Sequence, residues 1–123
     1  MVSPLDEFIE ACAKGEVIVL GKAEKTARSE FHLLSKASIL EFIGDGNLEN
    51  VKHRGSKPFD KNPLFTVYAY NFFSGKKYGY IAIFCGENQQ WFLKSFKKNW
   101  DKDPREIPFS QPMGLIAKIG ELK

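Results

Sequence analysis

Leu5, Phe8, Ile9 and Cys12 recur at three- and four-residue spacing, which is the signature of a helix with one buried stripe. Ser3 is placed to cap it, Pro4 fits the first helical position, and Asp6 and Glu7 suit the positive end of the helix dipole. Lys14 and then Gly15 mark its end. Residues 16–20 are a short, β-branched run that predicts a strand, broken at Gly21. Residues 22–34 carry no decisive period, and both a helical turn and an irregular segment fit. Ser35 reads as the cap of a further helix that runs to Ile43, with Ala37, Leu40 and Ile43 on one face and Gly44-Asp45-Gly46 as its stop. Residues 48–54 read as extended, and residues 54–58 as a loop.

The second half changes character. Residues 65–73, 77–85 and 90–97 are dense in aromatic and β-branched side chains. Turn chemistry separates them at Ser74-Gly75-Lys76 and at Gly86-Glu87-Asn88. Three strands with tight turns predict an antiparallel meander. Bulky groups lie on both of its faces, so helices are expected on one side and a functional or partly covered surface on the other. After Lys98 the pattern fades. Leu115, Ile116, Ile119 and Leu122 have the spacing of a short docking helix, which Gly114 and Gly120 weaken. The expected fold class is α+β: one domain over residues 1–123, with N-terminal helices packed on an antiparallel sheet and an extra C-terminal tail or short helix.

Composition adds exclusions. A chain of 123 residues builds a real core without staples. Two cysteines, Cys12 and Cys85, make no disulfide framework and point to a reducing compartment, hence the cytoplasm. No apolar run reaches the roughly 18 residues of a spanning helix, and the N-terminus lacks the basic start and apolar stretch of a signal peptide. His32, His53 and the two cysteines lack the paired spacing of zinc ligands, so no metal is expected. Neither a phosphate-binding glycine loop with its lysine nor a nucleophile elbow is present. Both thiols lie in apolar surroundings and read as inert.

Charge is unevenly spread. The net +3 conceals −4 over residues 1–51 and +7 over residues 52–105. Such asymmetry suits a polyanionic ligand for the second half; a lysine-rich sheet edge that blocks aggregation is the plainer reading. Alternation places Tyr78 and Tyr80 on one sheet face, and Ile81 and Ile83 on the other. With Ile81, Ile83, Phe92 and Phe96 toward the helices, Tyr78, Tyr80, Ser95 and Lys97 face outward, where Tyr68 and Tyr70 are placed to join them. A basic, tyrosine-lined surface of this kind suits single-stranded RNA or DNA, with cations on phosphates and rings on bases. The same groups suit metal-free phosphodiester cleavage, in which lysine steadies the charged transition state and a tyrosine or lysine moves protons. Tyrosines also simply favour strands. Structure, binding and cleavage all remain open at this point.

Two segments carry a family likeness. Ser74-Gly75-Lys76-Lys77-Tyr78-Gly79-Tyr80-Ile81 and Trp91-Phe92-Leu93-Lys94-Ser95-Phe96-Lys97-Lys98 resemble the sheet of RelE-superfamily toxins, most like the MqsR (motility quorum-sensing regulator) type. The shared features are a Gly, two residues and then a functional Tyr, and a last strand that ends in Ser-Phe-Lys. The order of elements agrees as well, over about residues 4–98, with 99–123 as an extension. The resemblance implies a metal-independent endoribonuclease, an mRNA interferase that acts as the toxin of a toxin–antitoxin pair. Attack by a ribose 2′-hydroxyl would leave a 2′,3′-cyclic phosphate, with no cofactor. It implies Lys97, Tyr78 and Lys52 as catalytic residues, with His53 or Arg54 as alternatives for the place of Lys52. His53, Arg54, Tyr80, Lys76, Lys77, Ser95 and Lys98 are the expected substrate contacts. A glutamine of the family site falls near Phe65, which leaves that role unfilled here. The implied partners are mRNA and a cognate antitoxin protein, with ribosome dependence open and no membrane. The alternative is a non-catalytic nucleic-acid-binding or protein-interaction module.

Overall fold

The computed structural model describes residues 3–99. The chain is α+β: helices α1 (Pro4–Ala13), α2 (Gly21–Phe31) and α3 (Lys36–Gly44), and strands β1 (Val17–Val19), β2 (Glu49–Phe59), β3 (Asn62–Ser74), β4 (Lys77–Cys85) and β5 (Trp91–Lys98). The five strands form one sheet in the order β1-β5-β4-β3-β2. The meander β3–β5 is antiparallel as expected and β2 adds a further antiparallel strand to it, but β1 pairs parallel with β5, so the sheet is mixed. The predicted docking helix and all of residues 100–123 lie outside the described residues.

Local chemistry accounts for the helices. The Ser3 hydroxyl accepts from the Asp6 N–H at 3.2 Å, and Gly15 leaves α1 at φ +72°. In α3, Ser35 and Ser38 form a reciprocal capping box. Ile39, Leu40 and Ile43 are its buried residues, whereas Ala37 is exposed. The undecided stretch 22–34 holds a full helix, and Gly21 begins it rather than merely ending a strand. Its buried positions are Ala23, Ala27 and Phe31, and two alanines give too weak an apolar signal to declare a period. Residues 54–58, expected as a loop, belong to β2, because β3 extends far enough to pair with them.

The main core lies between the helices and one sheet face. Phe8, Ile39, Ile43, Phe72, Ile81, Ile83, Leu93 and Phe96 are fully buried there. The Phe72 ring lies directly over Gly79, where an added Cβ would come within 2.2 Å of Phe72 Cζ. A β-bulge corrects the predicted facing of β5. Ala82 pairs with Ser95 and Ile83 with Leu93, so Lys94 has no residue opposite it. Leu93 and Phe96 therefore both face the helices, and Phe92 moves to the outer face, where it packs with Val67, Ala82 and Phe84. Tyr68 and Tyr70 pair with Ile83 and Ile81 and belong to the helix side, not to the outer surface. No described helix is long and apolar enough to cross a membrane.

Candidate nucleic-acid interface

The outer face is organised around Tyr80. Cross-strand register places Lys97 on one side of it and Asn71 on the other, with Lys52 beyond Asn71. Lys97 Nζ lies 5.4 Å from the centroid of the Tyr80 ring. The guanidinium carbon of Arg54 also lies 5.4 Å from that centroid. Each is a cation–π arrangement, so one phenol is held between two cations.

A bulge sits at Arg54. His53 pairs with Tyr70 and Gly55 with Ala69, which leaves Arg54 as the extra residue of β2. Alternation from His53 already puts Arg54 on this face, and the bulge keeps Gly55 there as well and so sets the facing of every later residue of β2. Lys94 is likewise the extra residue of β5. Both bulged positions thus hold cations, and both line the cleft around Tyr80. Bulges commonly re-aim side chains next to functional sites in this way.

Helix α2 closes the side of the cleft. β1 ends at Val19, and the Leu20 N–H still donates to the Leu93 carbonyl at 3.1 Å. Beyond that point α2 takes over the edge of β5, with Thr26 Oγ1 donating to the Phe96 carbonyl at 2.7 Å. This brings Lys22, at the start of α2, against Lys94 and Lys97. The far end is set by Asn99, which is 5% exposed. Its Nδ2 donates to Asn71 Oδ1 at 2.7 Å, and its N–H to the Tyr78 carbonyl at 2.9 Å. The Lys98 N–H donates to Glu30 Oε1 at 2.6 Å, which ties the end of β5 to α2.

The resulting cleft encloses about 410 Å³. Lys22, Arg54, Lys94, Lys97 and Lys98 line it with Tyr80, Ser95 and Asn99, and none of these described lining residues is acidic. Five cations, a phenol and two neutral hydrogen-bonding side chains are groups that can attract and hydrogen-bond an anion such as phosphate. Among the described residues no three His, Cys, Asp or Glu side chains lie close enough to hold a metal ion.

Of the predicted site residues, Arg54, Tyr80, Ser95, Lys97 and Lys98 converge in this cleft. The others do not line it. Lys52 lies on the same face, two strands away from Tyr80. His53 faces the helix side, with its ring 5.3 Å from Tyr70 and its Nε2 3.0 Å from Ser56 Oγ. Tyr78 is only 9% exposed and stacks on Phe73 at 4.9 Å. Lys76 is exposed in the β3–β4 turn. Lys77 turns toward α2, where its Nζ donates to the Glu30 carbonyl at 2.8 Å and lies 5.2 Å from the Phe31 ring centroid. A cation there complements the negative end of the helix.

Sequence reasoning missed Lys22, Lys94 and Asn99. A signal existed for Lys94: apolar Trp91, Leu93 and Phe96 break period 2 within one strand, and a bulge between the last two restores it. Nothing comparable marked Lys22. Burial pushes the Cys12 thiol up to about 12, and it raises Tyr70 and Cys85, with smaller contributions from Tyr68 and Asp6 on Tyr70 and from Glu7 on Cys85.

No protein-family model, curated protein or solved structure matches the chain.

Proposed function

We propose that the protein is a metal-independent endoribonuclease of the RelE type, the toxin of a toxin–antitoxin pair, and that its working centre is the Arg54–Tyr80–Lys97 cleft. The observation that carries the reading is the convergence of Arg54 and Lys97 on Tyr80, with Lys94 lining the same cleft. Supporting it are helices N-terminal to an antiparallel meander and a Ser-Phe-Lys sequence that ends beside the cleft. One role shifts within the family likeness. Lys97 lies opposite Tyr80, so Tyr80 rather than the buried Tyr78 takes the part of the site tyrosine.

In the proposed reaction the ribose 2′-oxygen forms a bond to the adjacent phosphorus, and the bond from phosphorus to the 5′-oxygen breaks. The 2′-hydroxyl loses its proton and the departing 5′-oxygen gains one. The products are a 2′,3′-cyclic phosphate and a 5′-hydroxyl. The nucleophile belongs to the substrate and is nearly in place, so positioning and charge supply most of the acceleration. Lys97 and Arg54 steady the additional negative charge on the phosphoryl oxygens. Tyr80, between them, is the proton carrier at the leaving oxygen.

The test uses end-labelled single-stranded RNA in excess EDTA, with wild-type protein beside Lys97→Ala and Tyr80→Phe. The expected result is cleavage to cyclic-phosphate ends by the wild type, reduced about 100-fold or more by Lys97→Ala. An all-deoxy strand should stay intact. Deoxy cleavage, or cleavage indifferent to both substitutions, would refute the proposal. Salt-sensitive binding without scission, alone or with translating ribosomes, would reduce it to a binding module.

A further inference from the structure

The outer face holds a second feature that the cleavage reading does not use. Next to the basic cleft lies an open groove of about 470 Å³, lined by Phe59, Phe65, Phe84 and Phe92 with Leu20 at one end. Phe84 is buried, while Phe59, Phe65 and Phe92 are half-exposed. Their rings are nearly parallel. Phe84 and Phe92 lie 4.8 Å apart at 7°, Phe59 and Phe84 4.4 Å apart at 24°, and Phe65 and Phe84 6.2 Å apart at 15°. On the helix side, by contrast, Phe8–Trp91, Phe31–Phe96 and Phe42–Phe96 meet edge-on, and Phe31–Phe72 and Phe72–Phe96 are tilted by 34° and 32°. Edge-on pairs interlock and fill space, whereas nearly parallel rings form a stack that another flat ring can extend on an exposed ring face.

We propose that this groove is a nucleobase-stacking subsite for the single-stranded RNA whose phosphates occupy the basic cleft; the inference rests on the RNA reading of that cleft. Three observations select a nucleic acid over other occupants. First, the groove and cleft share a face and share strands: Phe84 follows Tyr80 by four residues in β4, about 13 Å along the strand, and a few extended nucleotides cover that distance. Second, two cations stand along β2 and the turn that follows it, the turn cation beside Asp60. Lys61 stands on the rim, and Lys57, which pairs with Val67, lies on the same face of β2. Glu87, the acid at the groove, lies at the β4–β5 turn, on the side away from β2, so the strand's phosphates run along β2. Third, exposed aromatic faces stack bases with little regard to sequence, because every base has a π face, and Asn62 at the rim adds a hydrogen-bonding group for base edges. The inference makes the substrate an unpaired strand longer than the scissile dinucleotide, since a duplex cannot offer its bases to a sheet face.

The test measures binding of an uncleavable 2′-O-methyl uridine dinucleotide, too short to leave the cleft, and of an oligouridylate of about 12 nucleotides, within the range of single-strand site sizes. Phe59→Leu and Phe92→Leu keep apolar bulk but remove the ring. Each is expected to weaken the longer strand about fivefold or more and leave the shorter one unchanged. The salt dependence of binding should stay as in the wild type, because no phosphate contact is lost. Phe59→Tyr, which retains the ring, should bind normally. Circular dichroism checks each fold, and Phe59 on the edge strand carries the test alone if Phe92→Leu fails to fold. Binding of the longer strand that depends on Lys97 and Arg54 but is indifferent to the phenylalanines overturns the stacking subsite and spares the cleft; a groove that instead receives a protein gives that result. A wild type that binds neither strand overturns both.

Discussion

Removing the Lys97 ammonium group should change how RNA binding responds to salt, by an amount that the cleft itself bounds. Five cationic side chains line it. If each neutralises one phosphate of a single strand, the logarithm of the binding constant falls with the logarithm of salt at a slope of about −3.5. Between 50 and 200 mM salt that slope costs about 130-fold in affinity. Lys97→Ala leaves four cations and a slope of about −2.8, for which the same change in salt costs about 50-fold. Lys97→Arg should restore the steeper slope, since charge rather than shape carries this term. The assay is fluorescence anisotropy of an uncleavable labelled strand, titrated at several salt concentrations, with circular dichroism to check the fold of each variant. Lys97 is half-buried and faces the outer surface, so its truncation should not disturb the helix-side core. A wild-type slope near zero, or equal slopes for wild type and Lys97→Ala, would refute the assignment of the cleft to phosphate.

Four further outcomes follow from the same geometry. Arg54→Ala should weaken RNA binding or cleavage about tenfold or more while His53→Ala leaves both unchanged, because the neighbours point to opposite faces; equal effects would refute the placing of the site on the outer face. Gly79→Ala forces a methyl against the buried Phe72 ring and should cost about 1–3 kcal/mol, read as a fall in Tm of about 4–8 °C per kcal/mol. Cys12 should resist alkylation in the native protein and react once the chain unfolds, as a buried thiol with its pKa pushed up to about 12 does. The sign of the linkage follows: the unfolded thiol ionises first, so the stability that its raised pKa contributes is complete below about pH 9 and is lost as pH rises toward 12; Cys12→Ala should flatten that alkaline decline in a comparison of denaturant midpoints.

Much of the fold was legible in the chain because local chemistry determined it. The Ser3 and Ser35 caps, the stop at Gly15 and the three strands from β3 to β5 depend on residues a few positions apart. So does the basic balance of the second half, and so do five of the eight residues that line the cleft. Helix α2 was hidden because alanines do most of its packing, and the strand character of residues 54–58 because it arises from pairing with β3. Two bulges decided what alternation could not: one moved Phe92 outward and turned Lys94 into the cleft, and the other kept Gly55 on the outer face beside Arg54 and reset the facing of the rest of β2. Register placed Lys97 opposite Tyr80 instead of Tyr78, and the short β1 let α2 bring Lys22 to the edge of β5. A chain carries its capping and periodicity locally, whereas a bulge is selected by what the neighbouring strand and the core behind it can accommodate, and that choice exists only in the assembled sheet.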